Sequence, residues 1–191
     1  FIQKLTGIGS IVEEEHEQKV INTPWPIEIC WLYIRKMQAH VILGEYDEAI
    51  TAANLAKPLL WTSPNMIQVA DYVFFHAIVL AQTDATQELY EHEKQLQVWA
   101  QNSPHNFSDR ILLISAEIAR VKGNDSLALE LYEKAIDQSH QNGFIHHEAL
   151  CYELSAKFYK KKGFKNFSHF NMQEAQKKYK RWGALTKVKR L

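Results

Sequence analysis

A chain of 191 residues with 46% hydrophobic side chains carries enough apolar surface for a packed core, which argues against intrinsic disorder. Five prolines and seven glycines are too few for a turn-rich sandwich or barrel, and no apolar run approaches the roughly 18 residues of a membrane span. Basic and acidic residues balance at 22 each, but twelve Lys/Arg against Glu174 alone lie from Lys157 onward, a local excess of +11 set against −11 in the rest.

Residues 1–24 read as an entry segment, with Gly7, Gly9 and Ser10, the acidic run Glu13, Glu14, Glu15, Glu17, and the breaker Asn22-Thr23-Pro24. Phe1 in place of an initiator Met, with no signal-peptide pattern, points to a piece of a longer protein. Apolar residues predict a helix over 27–43, with Pro26 in its first turn. Gly44 ends it, and a second helix is expected from Glu45 to Leu60. Ser63 is expected as an N-cap with Pro64 at the first helical position, opening a helix over 65–82. Asp84 is expected to cap the next helix, to about Gln101. Asn102-Ser103-Pro104 breaks the chain. Helices over 107–122, 125–141, 144–162 and 165–181 follow, with Lys122-Gly123-Asn124-Asp125, Asn142-Gly143, Gly163 and Trp182-Gly183 as turns. The predicted hairpins are 27–60, 65–101, 107–141 and 144–181, the second being the least regular.

Gly44, Gly123 and Gly163 recur with separations of 79 and 40 residues. Met37, Ala116 and Ala156 stand seven positions before them. Ala49/Ala53/Ala56, Ala128/Tyr132/Ala135 and Ser168/Met172/Ala175 follow at fixed offsets. A period of about 40 predicts an all-α right-handed superhelix of about four antiparallel helical hairpins. One hairpin cannot bury its own apolar face, so neighbours stack, and small residues let paired helices approach closely. The expected organisation is a linker over 1–24, a repeat domain over 25–184, and the start of a C-terminal linker at 185–191. The pattern resembles the tetratricopeptide repeat, with a longer period than its usual length of about 34.

A more specific resemblance is carried by Leu59-Leu60-Trp61-Thr62-Ser63-Pro64, Gln95-Leu96-Gln97-Val98-Trp99-Ala100, Ala116-Glu117-Ile118-Ala119-Arg120, Leu131-Tyr132-Glu133-Lys134-Ala135-Ile136, Glu148-Ala149-Leu150 through Ala156-Lys157-Phe158-Tyr159, and Tyr179-Lys180-Arg181-Trp182-Gly183-Ala184. In this order they resemble the helical-repeat region of very large bacterial signalling proteins. Those proteins join a serine/threonine-kinase-like domain, a signal-transduction ATPase, this helical region, a GAF sensor and often a histidine kinase. The resemblance spans about Ile27 to Leu191. It implies a connector and interaction surface without catalytic residues of its own, in a full-length protein that is a kinase with an ATPase module.

The chemistry-bearing motifs agree with a non-enzymatic fragment. There is no GxxxxGK[ST] or GxGxxG, and Gly7-Ile8-Gly9 lacks the third glycine. No HExxH or paired CxxC marks a metal site; His140, His146 and His147 are expected to be solvated or hydrogen-bonded. No cofactor is expected. Cys30 and Cys151 read as buried thiols, which favours a reducing, cytoplasmic compartment. Phe158, Tyr159, Phe164, Phe167, Phe170 and Tyr179 lie among the C-terminal lysines. Their helical spacing predicts that most are core, so nucleic acid is the lesser expectation beside docking to an acidic protein surface. The repeat register places Gln38, Arg110, Glu117, Arg120, Lys157 and Lys160 on the concave face as the candidate partner-binding set. The expected function is a regulatory connector binding a protein partner or a neighbouring module, with no membrane role. The alternatives are a helical domain sensing a small ligand in its concavity and a nucleic-acid-binding regulator.

Overall fold

A computed structural model describes residues 17–83 and 87–191. Its elements are α1 (Pro26–Leu43), α2 (Tyr46–Ala56), a 3-10 turn (Lys57–Thr62), α3 (Ile67–Gln82), α4 (Gln87–Asn102), α5 (Pro104–Val121), α6 (Asp125–Gln141), α7 (Ile145–Lys161), α8 (Lys165–Trp182) and α9 (Leu185–Arg190). The helices pack as sequential pairs, α1 with α2, α3 with α4, α5 with α6 and α7 with α8, and each pair leans on the next. The fold is all-α and tetratricopeptide-like. The expected cap at Asp84 and the features of residues 1–16 lie outside the described residues.

The landmark glycines close three of the pairs in one way. At Gly44, φ is 79°, its N–H bonds the Val41 carbonyl at 3.0 Å, and the next N–H, of Glu45, reaches back to His40 at 2.9 Å. Gly123 repeats this with Arg120 and, through Asn124, Ala119. The left-handed backbone turns the chain while satisfying the last helical carbonyls, and a Cβ would strain it. The α3–α4 connection, Thr83-Asp84-Ala85-Thr86, has no glycine.

Small residues then set the spacing within each pair. Ala49, Ala53, Ala56, Ala128, Ala135 and Ala175 are fully buried, as are Met37, Ala116 and Ala156 opposite. Tyr72, Phe74, Phe75, Ile78, Leu89, Leu96 and Leu113 continue one apolar core through the stack. Cys30 and Cys151 are buried free thiols.

Three boundaries differ from expectation. α2 stops at Ala56 rather than Leu60, because Pro58 has no N–H to continue the ladder, and the chain tightens into a 3-10 turn. Ser63 does not cap a helix: its hydroxyl accepts from the Trp31 indole at 2.8 Å, Asn65 takes φ 61°, and α3 begins at Ile67. α5 begins at Pro104, whose missing N–H suits a first helical position, three residues earlier than expected.

The segment expected to begin a linker is helical. α9 packs against α8 and also against α1, so the C-terminal end of the stack returns to its first helix.

Candidate interaction site

Polar side chains join the first helices of successive pairs. Asp71 on α3 accepts from Arg35 on α1 and from Arg110 on α5, each at 3.0 Å. Arg35 also donates to Gln38 at 2.8 Å, and the Arg110 guanidinium lies 5.5 Å from the ring centres of Phe74 and Phe107. From α7, His147 meets Asp109 on α5 at 2.6 Å. Burial keeps His147 below the ordinary histidine pKa even beside that carboxylate.

Glu117 is the next junction. It accepts from Gln82 on α3 at 2.6 Å, from Arg120 at 2.6 Å, and from the Tyr132 hydroxyl on α6. Arg120 extends to the Ala81 carbonyl at 2.7 Å. Burial, reinforced by the Glu117 charge, pushes the Tyr132 pKa up, so the phenol remains a donor.

Glu153 on α7 holds the end of the stack together. It accepts from Tyr179 on α8 at 2.8 Å, from Lys187 on α9 at 2.7 Å, and from Lys157 at 2.8 Å. Burial would raise this carboxyl, but the two ammonium groups outweigh it and hold its pKa below the usual range.

Of the six residues expected on an open concave face, Gln38, Arg110 and Glu117 are buried in these junctions. Arg120 is bonded to Glu117, and Lys157 to Glu153 and Tyr46. Lys160 is exposed. The structure brings most of this set into bonds between repeats rather than into a free groove.

The exposed chemistry lies at the turn between α7 and α8. Phe164, Phe167 and Phe170 are 51%, 58% and 57% exposed, whereas Phe158 and Tyr179 are core. This corrects the expectation that most of these aromatics are buried. Helical spacing gives them a common side, but the neighbours of α8 are covered by Asn171, Ala175 and Tyr179 instead. Tyr159 stacks on Phe167 with centroids 5.4 Å apart, forming an aromatic ledge. Lys160, Lys161 and Lys165 lie beside it in the chain, exposed and without an ion-pair partner among the described residues. Lys157, Lys162, Lys177, Lys178, Lys187 and Arg190 instead pair with Glu153, Asp125, Glu174, Glu148, Glu153 and Glu45. Five of the twelve C-terminal basic side chains thus pair with carboxylates that lie earlier in the chain than Lys157.

Two further features were not legible as sites in the sequence. A shallow cavity of about 350 Å³ opens between α1 and α2, lined by residues including Tyr33, Lys36, His40, Asp47, Thr51 and Leu55. His76, Glu88 and His92 place three ligand-type atoms within 4.8 Å of one another between α3 and α4. Burial, with the neighbouring imidazole, lowers the His76 pKa to about 4, and burial lowers that of His92. The E-x-x-x-H spacing of Glu88 and His92 was the available signal; the partner sixteen positions before His92 was not.

No helix among the described residues is long and apolar enough to cross a membrane. A family model described as CHK1-like, TPR repeats matches residues 6–159. Comparison with curated proteins and with solved structures found no match.

Proposed function

Since this chain belongs to the CHK1-like TPR-repeat family, whose repeat class generally mediates protein binding and is typically non-catalytic, we propose that it acts as a regulatory connector and protein-interaction module within a multidomain bacterial signalling protein bearing kinase and ATPase modules. The interior bonds between repeats support a stiff frame, one suited to fixing how neighbouring modules sit. The observation that carries the binding role is the ledge of Phe164, Phe167 and Phe170 with Lys160, Lys161 and Lys165 beside it in the chain. Apolar rings with cationic neighbours suit an acidic surface that offers an apolar ridge: burying the rings drives association, and the lysines steer it. The binding partner is a neighbouring module of the same chain or a signalling protein of that character. Two buried free thiols are in keeping with a reducing, cytoplasmic setting.

The test is made in the full-length protein with Lys160→Glu, Lys161→Glu and Lys165→Glu together, and separately with Phe167→Ser and Phe170→Ser. Lys157 is left intact because it already bonds Glu153 and Tyr46. Loss of partner binding and altered output from the attached kinase are expected. Unchanged binding and output in both variants would remove this reading.

A further inference from the structure

The second helical pair carries a feature the others lack. Glu88 and His92 stand one turn apart on α4, so both side chains leave the same face toward α3. His76 of α3 meets them there. Its Nδ1 lies 3.0 Å from His92 Nε2, and Glu88 Oε1 is 3.8 Å from each of those nitrogens. Three donors around a tetrahedral zinc, with bonds of about 2.0–2.1 Å, stand roughly 3.3 Å from one another. The observed triangle brackets that spacing without rearrangement of either helix.

We propose that His76, Glu88 and His92 form a binding site for a borderline divalent transition-metal cation, with Zn²⁺ the first choice, tying α3 to α4. Two imidazoles and one carboxylate are a donor set for zinc rather than for calcium or magnesium, which take oxygen ligands. The fourth position remains for water. Tyr72 packs its ring against both imidazoles, with centroids 5.1 Å and 6.2 Å away. Its hydroxyl is buried with no partner among the described residues. The site already attracts positive charge: the Lys57 ammonium lies 2.8 Å from Glu88 Oε1. Lys57 is 53% exposed, so it can withdraw into solvent as the ion enters. The site also falls in the pair whose connecting segment contains no glycine. This inference is independent of the aromatic ledge.

The intact chain is dialysed against Zn²⁺ and the bound metal counted, and Co²⁺ serves as a spectroscopic probe. One ion per chain is expected, with visible ligand-field bands of a tetrahedral cobalt centre. Glu88→Gln and His92→Ala are expected to weaken binding at least tenfold. Lys57→Met is expected to tighten it several-fold, because a competing cation is gone. His105→Ala, on the exposed surface, should leave it unchanged. His76 is buried, so Glu88→Gln and Lys57→Met carry the test if its replacement unfolds the pair. No stoichiometric uptake at micromolar metal, or uptake indifferent to Glu88→Gln, His92→Ala and Lys57→Met, overturns the proposal.

Discussion

Lys157 of α7 points its ammonium at the hydroxyl of Tyr46 on α2, 3.4 Å away and 111 residues earlier in the chain. Its nitrogen also lies 5.7 Å from the centre of the Tyr46 ring. Arg190 makes a second contact of this kind with Glu45, at 2.5 Å across 145 residues. The last full pair and the closing helix thus bear on the first. A repeat array without such closure gains stability mainly from adjacent units.

Glu153 is the centre of that closure. Glu153→Gln leaves the buried Lys187 ammonium without its carboxylate and should cost on the order of 3 kcal/mol in urea unfolding. Lys187→Met, which removes the buried charge and leaves Glu153 with Lys157 and Tyr179, should cost less. Hydrogen exchange over residues 185–190 should accelerate in the glutamine variant. Equal unfolding midpoints for the two substitutions would mean that α9 is held by its apolar contacts alone.

Asp71 serves two arginines of unequal burial. Asp71→Asn should cost about 3 kcal/mol, because the Arg110 guanidinium stays buried without a counter-charge. Arg35→Met should cost less than about 1 kcal/mol, since that side chain is 38% exposed and its ion pair is screened. Chemical denaturation of both variants checks the asymmetry.

At Gly123, a substituted Cβ meets no atom within 4 Å, so any cost comes from the backbone angle of 73° alone. Gly123→Ala should therefore lose about 1 kcal/mol without shifting the helices. A loss near zero would show that the turn relaxes to another conformation.

Acid should destabilise the chain through the buried His76 and the half-buried His146. Burial, with His147, Arg110 and Arg35 as neighbours, lowers the His146 pKa to about 3. His76 falls to about 4 through burial, with His92 and Lys57 adding to it and Glu88 opposing. Below pH 6.5 the unfolded chain binds protons that the folded chain refuses, so stability falls as pH drops from about 6.5 toward 4. Each histidine contributes on the order of 2 kcal/mol across that window. Thermal unfolding between pH 7 and 4 reads it, and a His76→Gln, His146→Gln double variant should flatten the slope.

The exposed ledge should behave in the opposite way to the interior. Phe167→Ser removes a ring that is 58% exposed and should change stability by less than about 1 kcal/mol. Its effect should appear in binding alone, and a large stability loss would mark the ring as structural.

The repeat was legible because its signals are local. A glycine at a helix end, alanines one turn apart and apolar residues at helical spacing dictate pairs whatever lies further along the chain. The candidate concave set was legible only as positions. Gln38 and Glu117 stand at equivalent offsets from Gly44 and Gly123, but their burial depends on Arg35, Gln82 and Tyr132, none of which the offsets name. The same limit hid Phe164, Phe167 and Phe170: periodicity shows that residues share a face, not whether another helix arrives to cover it. The zinc-type triangle spans the one pair that departs from the repeat, so comparison between repeats could not find it.

By itself the sequence determined the helices, their pairing and the order of stacking, because these follow from hydrogen bonding and hydrophobic spacing within some forty residues. Only the tertiary structure decided that the C-terminal helix returns to the first pair, which charges are used inside, and which aromatic rings face water. Those outcomes depend on contacts between residues more than a hundred positions apart, which no single segment encodes.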